Sequence, residues 1–574
     1  MIEAHQKELD TWVLRFGGTA VVGYLCTLLI VGKYVHYLMQ KRGLLLGFLV
    51  VPPALLSGII GFIIFSIIQH TDDNLSVNFS AGLDVIKLNL VNFVFAALAL
   101  GLSCSRSSTK HSNFKGIVAS LFHEGMPMII YSQILMWGQT VCCLLVVCVG
   151  NMLGGVIPPL FAAMVPLGLE AGNDVLPVEN RNNYWSDTVV EEAESIGMIM
   201  TCSFAIILLS SRGFVSSLGL FPNYAPAGVG SGGGGGGGED TSSGGNVAEA
   251  FNRKRRRSTT VGITNHYSFE DGAVDNSSKV DSSSSVLQLD SAGSDPTVSA
   301  VTNEKSDNSK VNIEFSSLGT HISFISLAVF LSFGTMMFAR FLEIELGLSD
   351  SHLFSGIRMF KLSMFFAWFS MQVILRKTGL KFNRDWFMRL CGFLLDVLMI
   401  AACSSASPRP TSLDRNFLQY GLVLLFSFVC FAWNMFCFFV LAYRLFPNYS
   451  FERGLVLMAD CMGHSYAGLL FARTMDPLME TPVPAAYAYK LILFFVPSSG
   501  GKNSIVISLT DQYGPWMALM ICLCVVASWL LIFEKFFRHR FVNAYSSQDL
   551  VGEGGDTAGL GLGLGLGLGL LSPD

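Results

Sequence analysis

Charge is what this sequence has least of. Only 14% of its 574 residues are charged and 51% are hydrophobic, against roughly 25% charged in an average soluble domain. An ordinary soluble protein is therefore excluded. Neither sign of charge dominates, since 37 basic and 42 acidic residues leave a formal charge of −5, and a balance that small points to no nucleic-acid partner. The 13 cysteines show no CxxC pair. Most fall inside apolar runs (Cys26, Cys142, Cys143, Cys148, Cys202, Cys430, Cys437, Cys522, Cys524) and read as small buried apolar residues. Nucleophile motifs and metal-ligand sets are missing as well, so neither an enzyme nor a resident cofactor is expected.

Long apolar runs are what the chain has. They cover about 17–38, 45–68, 88–103, 128–150, 154–172, 192–212, 320–341, 357–376, 386–403, 417–443, 454–473, 486–509 and 514–537, lengths that suit bilayer spans. The first run continues into Lys41 and Arg42 without a small-residue cleavage site, so it reads as a span and not as a cleavable signal peptide.

Basic residues in short loops orient such spans. Lys41 and Arg42 lie inside, Asp72 and Asp73 outside, and Arg106, Lys110 and Lys115 inside again. Arg253 to Arg257 can lie inside only if one segment after the fourth span fails to cross. The segment 154–190 is the better candidate, because Pro158, Pro159, Pro166, Gly168, Gly172 and Pro177 break a helix repeatedly. The second half votes the same way with opposite sign if 454–476 is also re-entrant. Arg358, Lys361, Arg409 and Arg415 run against this parity. The expected fold is an all-α polytopic membrane protein: an inverted repeat of about five spans plus one re-entrant segment per half, with one extra C-terminal span. Inverted repeats with interrupted segments are a pattern of secondary transporters.

The domain plan follows. A tail (1–16) precedes the first membrane repeat (17–213), and a Gly/Ser-rich linker (214–318) leads to the second repeat (319–510), the extra span (511–540) and a low-complexity tail (541–574). Within the linker a glycine run begins at Gly232 and few large apolar residues occur, the composition of a disordered cytoplasmic segment. Arg253 to Arg257 read as a solvated topology signal, an anionic-lipid contact or a phosphorylation context for Ser258.

Irregular backbone and ionisable groups at membrane depth mark candidate sites. The first cluster is Glu170, Gly172, Asn173 and Asp174, where glycines expose carbonyls and carboxylates attract a cation, or else a loop simply ends a span. The second is Asp460, Gly463, His464 and Ser465. Asp460 and His464, four apart, share a helix face if the helix is unbroken; they either pair with each other or line a cation or proton path. Gln139 and Asn434 hold matching places in the two halves, either bonding a neighbouring helix or touching solute. Asp396 interrupts an apolar run without an obvious partner. Lys490 and Lys502 are cations within or beside the final repeat helix; Lys502 suits a substrate carboxylate, and snorkelling explains Lys490 equally well.

The ordered motifs resemble a known family. RLFPNYSFERG (Arg444 to Gly454), MADCMGHSYAGLLFARTMDP (Met458 to Pro477), Thr481-Pro482, Tyr489-Lys490 and QYGPW (Gln512 to Trp516) are similar to the second half of the sodium/glutamate symporter family, in a divergent branch. NFVFAALALG (Asn92 to Gly101), WGQ (Trp137 to Gln139), IPPLFAA (Ile157 to Ala163) and GLEAGND (Gly168 to Asp174) match the first half in order. The resemblance covers nearly the whole membrane portion, through many short motifs each weak alone. Where relatives carry a Gly-Gly-His-Gly-Thr run, this chain has Ala171 to Val175, and His464 and Tyr466 add bulk to the second broken segment. The resemblance implies a Na⁺-coupled symporter of glutamate or a related small amino acid or carboxylate, with Na⁺ as coupling ion. It also implies a homodimer and an elevator-like or rocking motion; separately, a plasma membrane is expected in preference to an organelle. The rival expectations are a proton-coupled carboxylate carrier on the same fold and a non-transporting membrane scaffold or sensor.

Overall fold

Helices make up nearly all of the described chain. The computed structural model describes residues 2–42, 51–71, 73–106, 114–155, 157–171, 184–211, 314–315, 318–346, 358–378, 381–405, 417–446, 448–493 and 501–552. The first half holds α1 (Ile2–Arg42), α2 (Pro53–Thr71), α3 (Asp73–Arg106), α4 (Phe114–Met152), α5 (Phe161–Ala171) and α6 (Tyr184–Ser210). The second holds α7 (Leu318–Glu345), α8 (Met359–Thr378), α9 (Arg384–Ser405), α10 (Phe417–Val440), α11 (Ala442–Leu445), α12 (Ser450–Met475), α13 (Pro482–Leu493) and α14 (Gly501–Gly552). Two short strands, β1 (Glu314–Phe315) and β2 (Lys381–Phe382), pair in parallel.

Among the described residues, nine stretches are long and apolar enough to cross a membrane: Ala20–Met39, Gly82–Cys104, Glu124–Met152, Val189–Ser210, Leu318–Glu345, Arg384–Ser405, Leu418–Val440, Ser450–Met475 and Ile505–Lys535. In water their outward faces would be untenable; in lipid they are not. Phe330, Phe338, Ile30 and Leu531 are all exposed by 60% or more. The chain is an all-α, multi-pass membrane protein.

Four expected runs are built differently. The apolar part of α2, Pro53–Ile68, starts at a proline, whose preset φ and missing N–H suit the first turn. Helix α5 is described over 11 residues and counts among the shorter apolar helices. Helix α8 carries Lys361, Arg376 and Lys377 and falls outside the nine apolar stretches. Of the run 486–509, the described residues belong to α13 and to the start of α14, whose apolar stretch Ile505–Lys535 contains a kink at Gly514 (φ 80°) and Pro515. The expected re-entrant segment 454–476 is a 26-residue element interrupted at its middle, with the length of a full span.

The packing partners fall into two groups. In one, α3 lies against α9, α8 packs on α3, α2 packs on α9, and α1 and α7 cover α2 and α8 respectively. In the other, α4 lies against α10, α5 against α6 and α12, and α6 and α14 pack on α10 and α4 respectively. Gly138 on α4 makes the α4–α10 approach possible, because a Cβ there would overlap the Trp433 indole. The apolar stretch of α12 is buried along its whole length, whereas that of α7 is 17% buried. Helix α12 is therefore the interior element, with protein on every side.

Candidate functional site

The interior helix is also interrupted. Gly463 (φ −138°, ψ 26°) and His464 (φ 67°, ψ 161°) leave helical geometry in the middle of α12. A non-glycine residue at positive φ costs on the order of 1–3 kcal/mol and persists only where its surroundings hold it. The strained residue here is the histidine, not the glycine before it. His464 is held by its contacts: Nε2 lies 3.0 Å from Glu194 Oε1, and its ring stacks on Tyr466 at 5.1 Å between centroids. Helix α6 can come this close because of Gly197, where a Cβ would overlap the Met462 carbonyl oxygen.

Glu194 continues the contact outward. Lys87 Nζ on α3 donates to Glu194 Oε1 at 3.2 Å and lies 3.5 Å from Asp84, whose side chain is 44% exposed. Asp84, Lys87, Glu194 and His464 thus form a continuous row of ionisable groups from the molecular surface to the break.

Asp460 lies on the other side of the break. The Tyr487 hydroxyl is 2.8 Å from both Asp460 Oδ1 and the Ser465 carbonyl, and Lys490 Nζ donates to Asp460 Oδ2. Tyr487 and Lys490, three residues apart, share a face of α13. The α12–α13 turn is tied down by a bond from Thr481 N to Asp476 Oδ2 (2.7 Å) and one from Arg384 Nη2 to the Met479 carbonyl (2.7 Å). Asp460 is 7% and Lys490 4% exposed, so each charge is affordable at that depth only through the other.

A third pair comes from α5 and α14. Lys502 Nζ lies 2.9 Å from Glu170 Oε2, donates to the Met136 carbonyl at 3.1 Å, and rests 5.7 Å from the Trp137 ring centroid. On α4, Gln139 Nε2 donates to the Cys461 carbonyl at 3.4 Å, in the turn that the break interrupts. Gln139 Oε1 and Thr201 Oγ1 have no partner among the described residues, and both side chains are buried to within 1%. Thr201 is also against the break, with Cβ and Cγ2 3.3 Å from where a Gly463 Cβ would be.

These contacts correct several expectations. Asp460 and His464 do not pair with each other: the break turns them apart, and each takes a partner from another helix. Lys490 does not snorkel but neutralises Asp460. Lys502 meets a carboxylate of the chain itself, Glu170. Gln139 and Asn434 are not equivalent, since Asn434 Nδ2 bonds Cys430 O on its own helix at 2.8 Å. Asp396 has a partner after all, Arg473 Nη1 at 2.8 Å, which also reaches the Gly392 carbonyl. Ser465 joins the site through its backbone carbonyl. Gly172, Asn173 and Asp174 lie outside the described residues.

Sequence reading missed Glu194, Lys87, Tyr487 and Thr201. Glu194 and Lys87 stood at the ends of apolar runs, where charges read as loop flanks, and an aromatic or a threonine inside a span carries no signal of its own. No protein-family model, curated protein or solved structure matches this chain.

Proposed function

We propose that this chain is a secondary active transporter of a small amino acid or carboxylate solute, with the α12 break as its binding region. The observation that carries the reading is the pair of buried, unpartnered acceptors, Gln139 Oε1 and Thr201 Oγ1, beside an interrupted interior helix. Such atoms are costly to leave unsatisfied in a membrane interior, and a solute with N–H or O–H donors would satisfy them. The packing supports an inverted repeat: α3 with α9, α4 with α10 and α5 with α12 are like-with-like pairs, and α3–α8 mirrors α9–α2. The order of motifs resembling sodium/glutamate symporters supports the same class.

Proton coupling is the better reading of the driving ion. Asp460, Glu170 and Glu194 are each held by a Lys or His of the chain, so a Na⁺ ion would have to displace an ammonium or imidazole already in place. The row from Asp84 to His464 places carboxylate, ammonium and imidazole groups in close succession, the kind of arrangement that marks ion and proton paths in membrane carriers.

The test is uptake by proteoliposomes of radiolabelled amino acids and dicarboxylates, in wild type and in Gln139→Leu. Saturable uptake by wild type that falls at least about tenfold in Gln139→Leu, the worth of more than ~1.4 kcal/mol of lost contact, supports the proposal. Equal uptake in protein and empty vesicles across the panel refutes it.

A further inference from the structure

The Asp460–Lys490 pair lies in an electrostatically particular place. The first half of α12 ends at the break, so its dipole directs negative potential at the residues around Asp460. The Asp460 carboxylate, the Ser465 carbonyl and the Tyr487 hydroxyl are oxygens that converge there. Hard monovalent cations take such carboxylate, carbonyl and hydroxyl ligands, and carriers with interrupted helices collect cations at these ends. Here the positive charge comes from α13: Lys490 Nζ reaches Asp460 from a helix fixed by the Asp476–Thr481 and Arg384–Met479 bonds.

We propose that the Lys490 ammonium is a tethered substitute for a bound Na⁺, occupying a monovalent-cation site formed around Asp460. The inference deepens the transporter reading and rests on the same break. Removing the ammonium uncovers the site, and Na⁺ then binds it; with Lys490 in place, added Na⁺ finds Asp460 taken. A purely packing role for the pair predicts something else: loss of Lys490 destabilises the protein equally in every salt.

The experiment uses purified full-length chain and reads thermal unfolding while NaCl replaces choline chloride at constant ionic strength. The Lys490→Ala protein should gain a saturable rise in Tm of about 2–4 °C with Na⁺. Wild type and Lys490→Ala/Asp460→Asn should stay flat. A folded Lys490→Ala protein with no Na⁺ response overturns the inference. So does a wild-type rise in Na⁺ that Asp460→Asn abolishes, because Asp460 would then be open to Na⁺ beside Lys490. If Lys490→Ala is lost during purification in choline, its purification in NaCl decides: recovery of monodisperse protein supports the tethered cation, and equal loss in both salts overturns it. None of these readouts involves transport. A Na⁺-responsive Lys490→Ala in a protein that moves no solute would sink the transporter reading alone, and the converse would sink this one alone.

Discussion

Glu194 on α6 and His464 at the break of α12 lie 3.0 Å apart, and the contact joins two features that neither helix has alone. One is a backbone conformation that histidine rarely adopts (φ 67°). The other is a carboxylate already bonded to Lys87 and, through it, near the exposed Asp84. A row of close side-chain contacts thus runs from Asp84 to the break.

Glu194→Gln keeps the side-chain shape and removes the charge between Lys87 and His464. Uptake driven by a pH gradient should fall about tenfold or more, because breaking a buried charged contact costs upward of ~1.4 kcal/mol. Asp84→Asn, at the exposed end of the row, should cost much less. Initial rates in proteoliposomes check both; undiminished uptake in Glu194→Gln would mean the row carries nothing.

Gly197→Ala puts a Cβ onto the Met462 carbonyl. Either α6 withdraws or the break moves, at a cost of about 1–3 kcal/mol typical of overpacking. Reduced Tm together with lost uptake is expected. Gly23→Ala, where a Cβ meets nothing within 4 Å, should leave both unchanged.

Arg473 and Asp396 tie α12 to α9 some ten residues beyond the break, about 15 Å along the helix. Arg473 is partly exposed, which limits the energy of the pair. Removing either should lower Tm, and a double-mutant cycle should give a coupling of about 1 kcal/mol. Uptake per folded molecule should persist. A collapse of uptake in a stable Asp396→Asn protein would instead place this pair in the transport path.

Much of the fold was legible because hydrocarbon imposes a simple rule: apolar residues must run unbroken for the thickness of a bilayer. Nine of the expected runs obeyed it. The run at 486–509 lies partly outside the described residues, which assign its ends to α13 and α14. The interruption itself was legible, since Gly463, His464 and the nearby Asp460 are conspicuous among apolar neighbours. Their partners were not. Lys490 and Lys502 were visible as charges, yet their pairing with Asp460 and Glu170 depends on which helices meet, and pairings between residues 30 and 332 positions apart are set by packing, not by local pattern.

Glutamate uptake into proteoliposomes under an inward proton gradient, against an equal inward Na⁺ gradient and against Asp460→Asn, is the decisive measurement. Uptake that follows the proton gradient, ignores Na⁺ and is lost in Asp460→Asn is the predicted result. Uptake that requires Na⁺ and survives collapse of the proton gradient would contradict a site whose carboxylates are already held by the chain's own cations.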